Sequence, residues 1–188
     1  MTSVQYKDLW VSFINGDDTA LNTLYTNFVD VLYAFGLRFS DDEGQVKDSI
    51  HDLFVDLYKY RKTLANDVNV KSYLFTSLKR KICLVLKTKA LQQSLVFDPP
   101  FLLANSIEDQ IIDGEEQSIL LAKLRKQLEL LPSRQKEAVY LRFNSELEYE
   151  EIAAIMDISL ETCRTLVYRG IKQLRERMVV NHIYKILA

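Results

Sequence analysis

Along LETCRTLVYRGIKQLRER (residues 160–177), Glu161, Arg164, Thr165, Tyr168, Lys172 and Arg175 fall on one side of a 3.6-residue repeat. These side chains suit nucleic acid. Arginine can bridge a guanine edge with two hydrogen bonds, glutamate can accept from cytosine, and lysine or arginine can neutralise phosphate. The other side of the segment, Cys163, Leu166, Val167, Gly170, Ile171 and Leu174, is an apolar seam. Just upstream, Ile152, Ala153, Ile155 and Met156 give a shorter helix an apolar face, and Asp157-Ile158-Ser159 turns the chain. Ser159 is a favourable N-cap for the helix that follows. A helix-turn-helix needs this geometry to push one helix into the major groove. A packed corner in any helical protein has the same pattern, so the pattern alone leaves both readings open.

Other chemistries find little support. Cys83 and Cys163 are far apart, each inside an apolar helical pattern, and read as small buried hydrophobes. His51 and His182 form no catalytic or metal-binding cluster, and no glycine-rich phosphate loop is present. The expectation is a protein with no catalytic residue, metal or cofactor, and not an enzyme. No apolar run is long enough to span a bilayer, so no membrane insertion and a cytoplasmic location are expected.

The net charge of -2 conceals a strong asymmetry. Residues 68–97 carry six basic side chains (Lys71, Lys79, Arg80, Lys81, Lys87, Lys89) and no acidic one; residues 98–116 carry six acidic and no basic ones. Residues 164–177 carry five basic side chains against Glu176 alone. Local sign governs attraction to a polyanion more than the total does, although such blocks are often only solvated helix faces.

Helices must position these blocks. Few Gly and Pro argue against a many-turned β architecture, and the predicted fold is all-α, two helical domains joined by a flexible linker. A first helix carries Tyr6, Leu9, Trp10, Phe13 and Ile14 and stops at NGDD, where Asp17 or Asp18 can cap the next. The second places Leu21, Leu24, Tyr25, Phe28, Val31, Leu32 and Phe35 on one face. SDDEG breaks the pattern, with Gly44 as the expected turn residue. The third turns Val46, Ile50, Leu53, Phe54, Leu57 and Tyr58 inward and shows Asp48, Asp52 and Asp56 as an acidic row at i, i+4 and i+8. After the polar loop ANDVN, a fourth helix over about residues 70–88 carries the first basic block. Four such helices bury their faces on one another as a bundle. Pro99 and Pro100 end the pattern, giving domains over 1–90 and 115–188 with an acidic linker over 91–114.

The residues LPSRQKEAVYLRF…LEYEEIAAIMDISLETCRTLVYRGIKQLRE resemble the C-terminal promoter-binding region of bacterial RNA polymerase sigma factors of the extracytoplasmic-function (ECF) group. The positions that carry the likeness are Leu131, Pro132, Arg134, Tyr149, Glu151, Ile152, Ala153, Ile158, Ser159, Thr162, Arg164 and Leu174-Arg175. The RTLVYRGIKQLRE variant is most similar to members from Bacteroidetes. Upstream, GDDTALNTLYTNFVDVLYAFGLRFSDDEGQVKDSIHDLFVDLYKYR resembles the group's region 2, so the likeness spans most of the chain. The group usually has Trp where this chain has Tyr73, Asn at Arg80 and Asp at Leu84. It often has Gln at His51 and Gly at Asp157. Arg80 and Leu84 bear on base preference at the -10 element rather than on phosphate binding.

The resemblance implies a factor that binds core RNA polymerase and two promoter boxes at once and assists promoter melting. Ser159, Glu161, Thr162, Arg164, Thr165 and Tyr168 would meet the -35 element, with Arg169, Lys172 and Arg175 on phosphate. Asn66, Asn69, Lys71, Tyr73, Lys79, Arg80, Lys81 and Lys87 would meet the -10 element, where capture of an unstacked base calls for aromatic surface and cations; Tyr73 as a core residue is the competing reading. Asp48, His51, Asp52, Val55 and Asp56 would dock on the clamp helices of the polymerase's largest subunit, or else form a solvated face. The linker would be a plain tether or would thread the polymerase's RNA path. The family also implies an anti-sigma factor, often membrane-anchored in Bacteroidetes. Two alternatives stand beside this: a helix-turn-helix regulator acting as a dimer, and a degenerate sigma-like protein without -10 recognition.

Overall fold

A computed structural model describes residues 3–92, 100–102 and 115–187. Among these the chain forms helices and no strand. It divides into two compact units, Met1–Pro100 with Ala154–Met156, and Phe101–Ala153 with Asp157–Ala188.

The first unit begins with α1 (Ser3–Ile14), α2 (Asp18–Gly36), α3 (Glu43–Tyr60) and α4 (Val70–Gln92), with a 3-10 turn at Arg61–Thr63. Asp17 caps α2: its carboxylate accepts from the Thr19 amide at 2.9 Å, while Gly16 at φ +106 makes the turn before it. Asp42 caps α3, accepting from the Gln45 amide at 3.0 Å. This displaces the expected turn from Gly44, which lies in the first turn of α3; the break is made by Ser40 to Asp42, where the Asp42 amide donates to Ser40 Oγ at 3.3 Å. A capping carboxylate satisfies orphan helix amides, so no left-handed glycine is required there.

Trp10, Phe13, Leu24, Leu32, Phe35, Leu57, Leu74, Leu78 and Ile82 make the centre of this unit. The buried stripes are narrower than the periodicity suggests. Tyr25, Val31 and Tyr58, expected inward, are 42 %, 46 % and 50 % exposed. On α2 the buried line runs Ala20, Leu24, Phe28, Leu32, Phe35, leaving Tyr25 and Val31 at its margins. Tyr25 roofs Phe54 edge-on at 5.0 Å, and Tyr58 lies under the Arg61 guanidinium at 5.1 Å. Gly36 permits the closest approach: a Cβ there would stand 2.6 Å from Val46 Cγ1 and 3.2 Å from Ile82 Cδ1. Helices α3 and α4 run antiparallel, tied by Lys81 to Asp56 at 2.6 Å and by Lys89 to Gln45 at 2.8 Å.

The second unit holds α5 (Glu115–Glu129), α6 (Ser133–Phe143), α8 (Leu160–Leu187) and α7 (Tyr149–Met156) as far as Ala153, the rest of α7 being grouped with the first unit. Pro132 separates α5 from α6, as the sequence predicts. Buried Ala138, Val139 and Leu141 of α6 face Cys163, Val167 and Gly170 of α8 across a seam. Phe101, also buried, sits 5.5 Å from Tyr140 on α6. Of the acidic linker, Leu91 and Gln92 belong to α4 and Pro100 to Leu102 are described; its other residues, 93–99 and 103–114, lie outside the described ones.

Candidate nucleic-acid interface

The turn before the basic helix is built from local chemistry. Asp157 takes φ 53, a left-handed conformation that Asp adopts more readily than most residues. The Ile158 amide closes onto the Ala153 carbonyl at 3.0 Å, ending α7. Ser159 Oγ then accepts from the Thr162 amide at 3.1 Å and pairs with Thr162 Oγ1 at 2.8 Å, starting α8. Ser159 and Thr162 are thereby engaged in the cap.

Entry into α7 depends on contacts that the sequence reading did not give, although it named Tyr149 and Glu151 for the likeness they carry. The Glu148 amide donates to the Glu151 carboxylate at 2.8 Å, half of a capping box. Arg142 of α6 donates to the Leu147 carbonyl at 2.8 Å and to the Glu148 carboxylate at 3.1 Å, and its guanidinium lies 5.0 Å from the Tyr149 ring. A Glu three residues after the cap position was the available signal; the reach of Arg142 had none.

Gly170 sets the depth of the helix, since a Cβ there would stand 2.8 Å from Val139 Cγ2. With Cys163, Val167, Gly170 and Leu174 buried, Glu161, Arg164, Tyr168, Arg169, Lys172 and Arg175 are exposed and Thr165 is half-buried. Tyr168 is 67 % exposed, on the same outward side as the cations. Arg164 lies 5.9 Å from the Tyr149 ring and 3.9 Å from the Glu150 carboxylate, so α7 steadies it without burying it. Lys172 is partly offset by Glu176 at 4.0 Å. Burial, then the Glu150 carboxylate, pushes the Cys163 thiol above its ordinary value, which suits a packing role.

The basic block of α4 is less unified. Tyr73, Arg80 and Lys87 follow one line at i, i+7 and i+14. Lys79 turns to the Phe39 ring at 5.6 Å, and Lys81 turns to Asp56. Asn69 caps α4, its side-chain oxygen accepting from the Ser72 amide at 3.0 Å, with Lys71 half-buried beside it. Asn66 is exposed in the preceding loop, and Tyr73 is half-buried 5.2 Å from Trp10.

On α3, Asp48, His51, Asp52 and Val55 are exposed, and Asp56 is half-buried through its pairing with Lys81. Phe54 and Leu57 are buried and belong to the core. No group of three or more His, Cys, Asp or Glu able to hold a metal is found among the described residues, nor any helix long and apolar enough to cross a membrane.

A basic outward helix mounted on a capped turn defines a helix-turn-helix DNA-binding unit, and residues 121–174 match the family described as sigma-70, region 4. The chain is 28 % identical over 168 residues to the ECF RNA polymerase sigma-E factor of Escherichia coli (strain K12), covering 82 % of this chain and 84 % of that protein. It is 24 % identical over 155 residues to RNA polymerase sigma factor SigV of Bacillus subtilis (strain 168), covering 82 % and 89 %. The same fold is seen in CnrH, solved with the cytosolic domain of CnrY (TM-score 0.61, 17 % identity, 93 % of this chain and 97 % of that one). It is also seen in RpoE, solved with the anti-sigma factor NepR from Bartonella quintana (TM-score 0.61, 22 % identity, 85 % and 96 %). Over 82 % of its length the chain is thus similar to RNA polymerase sigma factors, those from Escherichia coli being of the ECF group, and residues 121–174 carry a sigma-70 region 4.

Proposed function

We propose that this protein directs core RNA polymerase to specific promoters, with the second unit on the -35 element and the first on the -10 element and the polymerase. The observation that carries the reading is the exposed ridge of α8, Glu161, Arg164, Tyr168, Arg169, Lys172 and Arg175, set on a buried seam. Arg164, with Glu161, Thr165 and Tyr168, reads base edges; Arg169, Lys172 and Arg175 hold phosphate. Ser159 and Thr162 serve chiefly to fix the angle of entry.

In the first unit Asn66, Tyr73, Arg80 and Lys87 form the -10 surface, with Asn69 capping α4 and Lys71 and Lys79 flanking. The acidic residues Asp48, Asp52 and Asp56, with His51 and Val55, meet the basic clamp helices of the polymerase's largest subunit, where opposite charge speeds encounter. The domains lie over 1–90 and 115–188, and the acidic tether between them sets how the two grips share one promoter. The protein makes no covalent bond. It works in the cytoplasm and is held off by an anti-sigma factor, as the pairing of RpoE with NepR suggests by likeness.

Reconstitution tests the reading: purified chain, core polymerase and a promoter library, scored for run-off transcripts of defined start. Specific transcripts are expected only with chain and core together. Binding to core without transcripts would replace the reading with a factor lacking -10 recognition, and dimeric DNA binding without core with a conventional regulator.

A further inference from the structure

We infer that Trp10 and Lys7 of α1 are positioning residues for the -10 surface, fixing the loop over residues 64–69 and the stance of Tyr73. The inference rests on the reading of that loop and α4 given above. Trp10 is 0 % exposed, and its ring fills the core, but two of its contacts reach the candidate site. Its indole Nε1 donates to the Ala65 carbonyl at 2.9 Å, and its ring lies 5.2 Å from that of Tyr73 at 59°. An indole N–H can only donate, so when buried it dictates where an acceptor must stand. Here the acceptor is a main-chain oxygen in an irregular segment, which makes the hydrogen bond a clamp on the loop.

Lys7 lies one turn earlier on the same face of α1, and its ammonium meets the Asp67 carboxylate at 2.7 Å. The pair is largely exposed, so its weight in stability is small and its effect is orientation. The loop is therefore held at Ala65 by Trp10, at Asp67 by Lys7, and at Asn69 by its own cap on the Ser72 amide. Asn66, between the first two anchors, is left exposed on restrained backbone. Restraint before binding lowers the ordering cost when a base is taken up beside it. One buried side chain thus sets both the polar loop and the aromatic ring that a captured base would meet.

The test compares wild type, Trp10→Phe and Lys7→Gln in the reconstituted holoenzyme, with 2-aminopurine placed in the -10 non-template strand to report opening. Replacing Trp10 with 3-benzothienylalanine, which keeps the fused ring and lacks the N–H, covers the case in which Trp10→Phe folds poorly. Losing the Ala65 bond is expected to slow opening by about tenfold, the order of one hydrogen bond. Core affinity and -35 duplex binding stay within about twofold in the same variants, since neither surface is touched. Lys7→Gln shifts opening in the same direction by less. In the free chain, hydrogen exchange of amides 64–69 rises while amides of α2 and α3 keep their protection. Opening at the wild-type rate in both Trp10 variants overturns the inference, and so does joint loss of core binding, -35 binding and opening, which marks a purely structural residue. If wild type with core opens no promoter while loop exchange still rises in the variants, the clamp on the loop stands and the -10 reading fails.

Discussion

On the proposed reading Arg164 is a side chain prepared for a partner. A free arginine loses rotamer entropy on binding; here Tyr149 lies 5.9 Å below the guanidinium and Glu150 draws it from 3.9 Å. At such distance and exposure the carboxylate orients the group more than it neutralises it. Arg164→Ala is expected to cost about 1–3 kcal/mol, confined to one base position of the -35 element. Competition binding against single-base variants checks this, and equal loss on every variant would assign Arg164 to phosphate. Asp17 carries a different prediction. Hydrogen bonds from the Thr19 hydroxyl and amide hold its carboxyl below the ordinary 3.8. A depressed folded pKa means stability that is present above the unfolded value and lost as pH falls through the folded one. Acid unfolding of wild type should therefore steepen below about pH 4, and Asp17→Asn should flatten that limb in a thermal-melt series. The caps at Asp17 and Ser159 were legible because donor and acceptor are two or three residues apart. The Trp10 bond to Ala65 was not, since its partners are separated by 55 residues and nothing local marks either.

At the scale of helices, periodicity located the four helices of the first unit and the two around the turn at residues 157–159, because amphipathic stripes repeat within the chain itself. It overstated their width at Tyr25, Val31 and Tyr58, since hydrophobicity does not say how far a neighbouring helix reaches around. Gly170 looked like a member of the apolar seam; only packing shows that α6 and α8 meet there. Gly170→Ala should cost about 1–3 kcal/mol through forced separation from Val139, read as a lowered denaturation midpoint with -35 binding weakened in parallel. Between α3 and α4, the sequence placed Lys81 with the DNA-facing cations and Asp56 with the polymerase-facing acids, whereas the fold joins them at 2.6 Å. On the proposed reading the pair would couple the two surfaces: a polymerase cation that engaged Asp56 would release Lys81. Asp56→Asn should then raise affinity for single-stranded DNA several-fold more than Asp52→Asn, which removes the same charge from the same helix. Lys81→Gln should abolish that excess, and equal gains from the two aspartate variants would show only a general charge effect.

For the whole molecule, the working quantity is the linkage of two modest grips. On the proposed reading each recognition surface is small: one helix face in the second unit, one helix and a loop in the first. A chain that holds one box keeps the other site at high local concentration, so joint binding gains without any new contact. The charge asymmetry in the sequence already pointed this way, with two basic blocks flanking an acidic stretch. Composition alone could not say which cations face outward, since Lys79 and Lys81 fold back on Phe39 and Asp56. The holoenzyme should bind a promoter with both boxes about 10²–10⁴ times tighter than one with either box scrambled. Its affinity should also fall more steeply with salt on the two-box promoter, because the counterions released at each grip add. Titrations at several salt concentrations on the four promoter combinations measure both effects. Equal salt slopes on one-box and two-box DNA would mean that only one surface touches phosphate, and the block on α4 would then be a solvated face rather than a second grip.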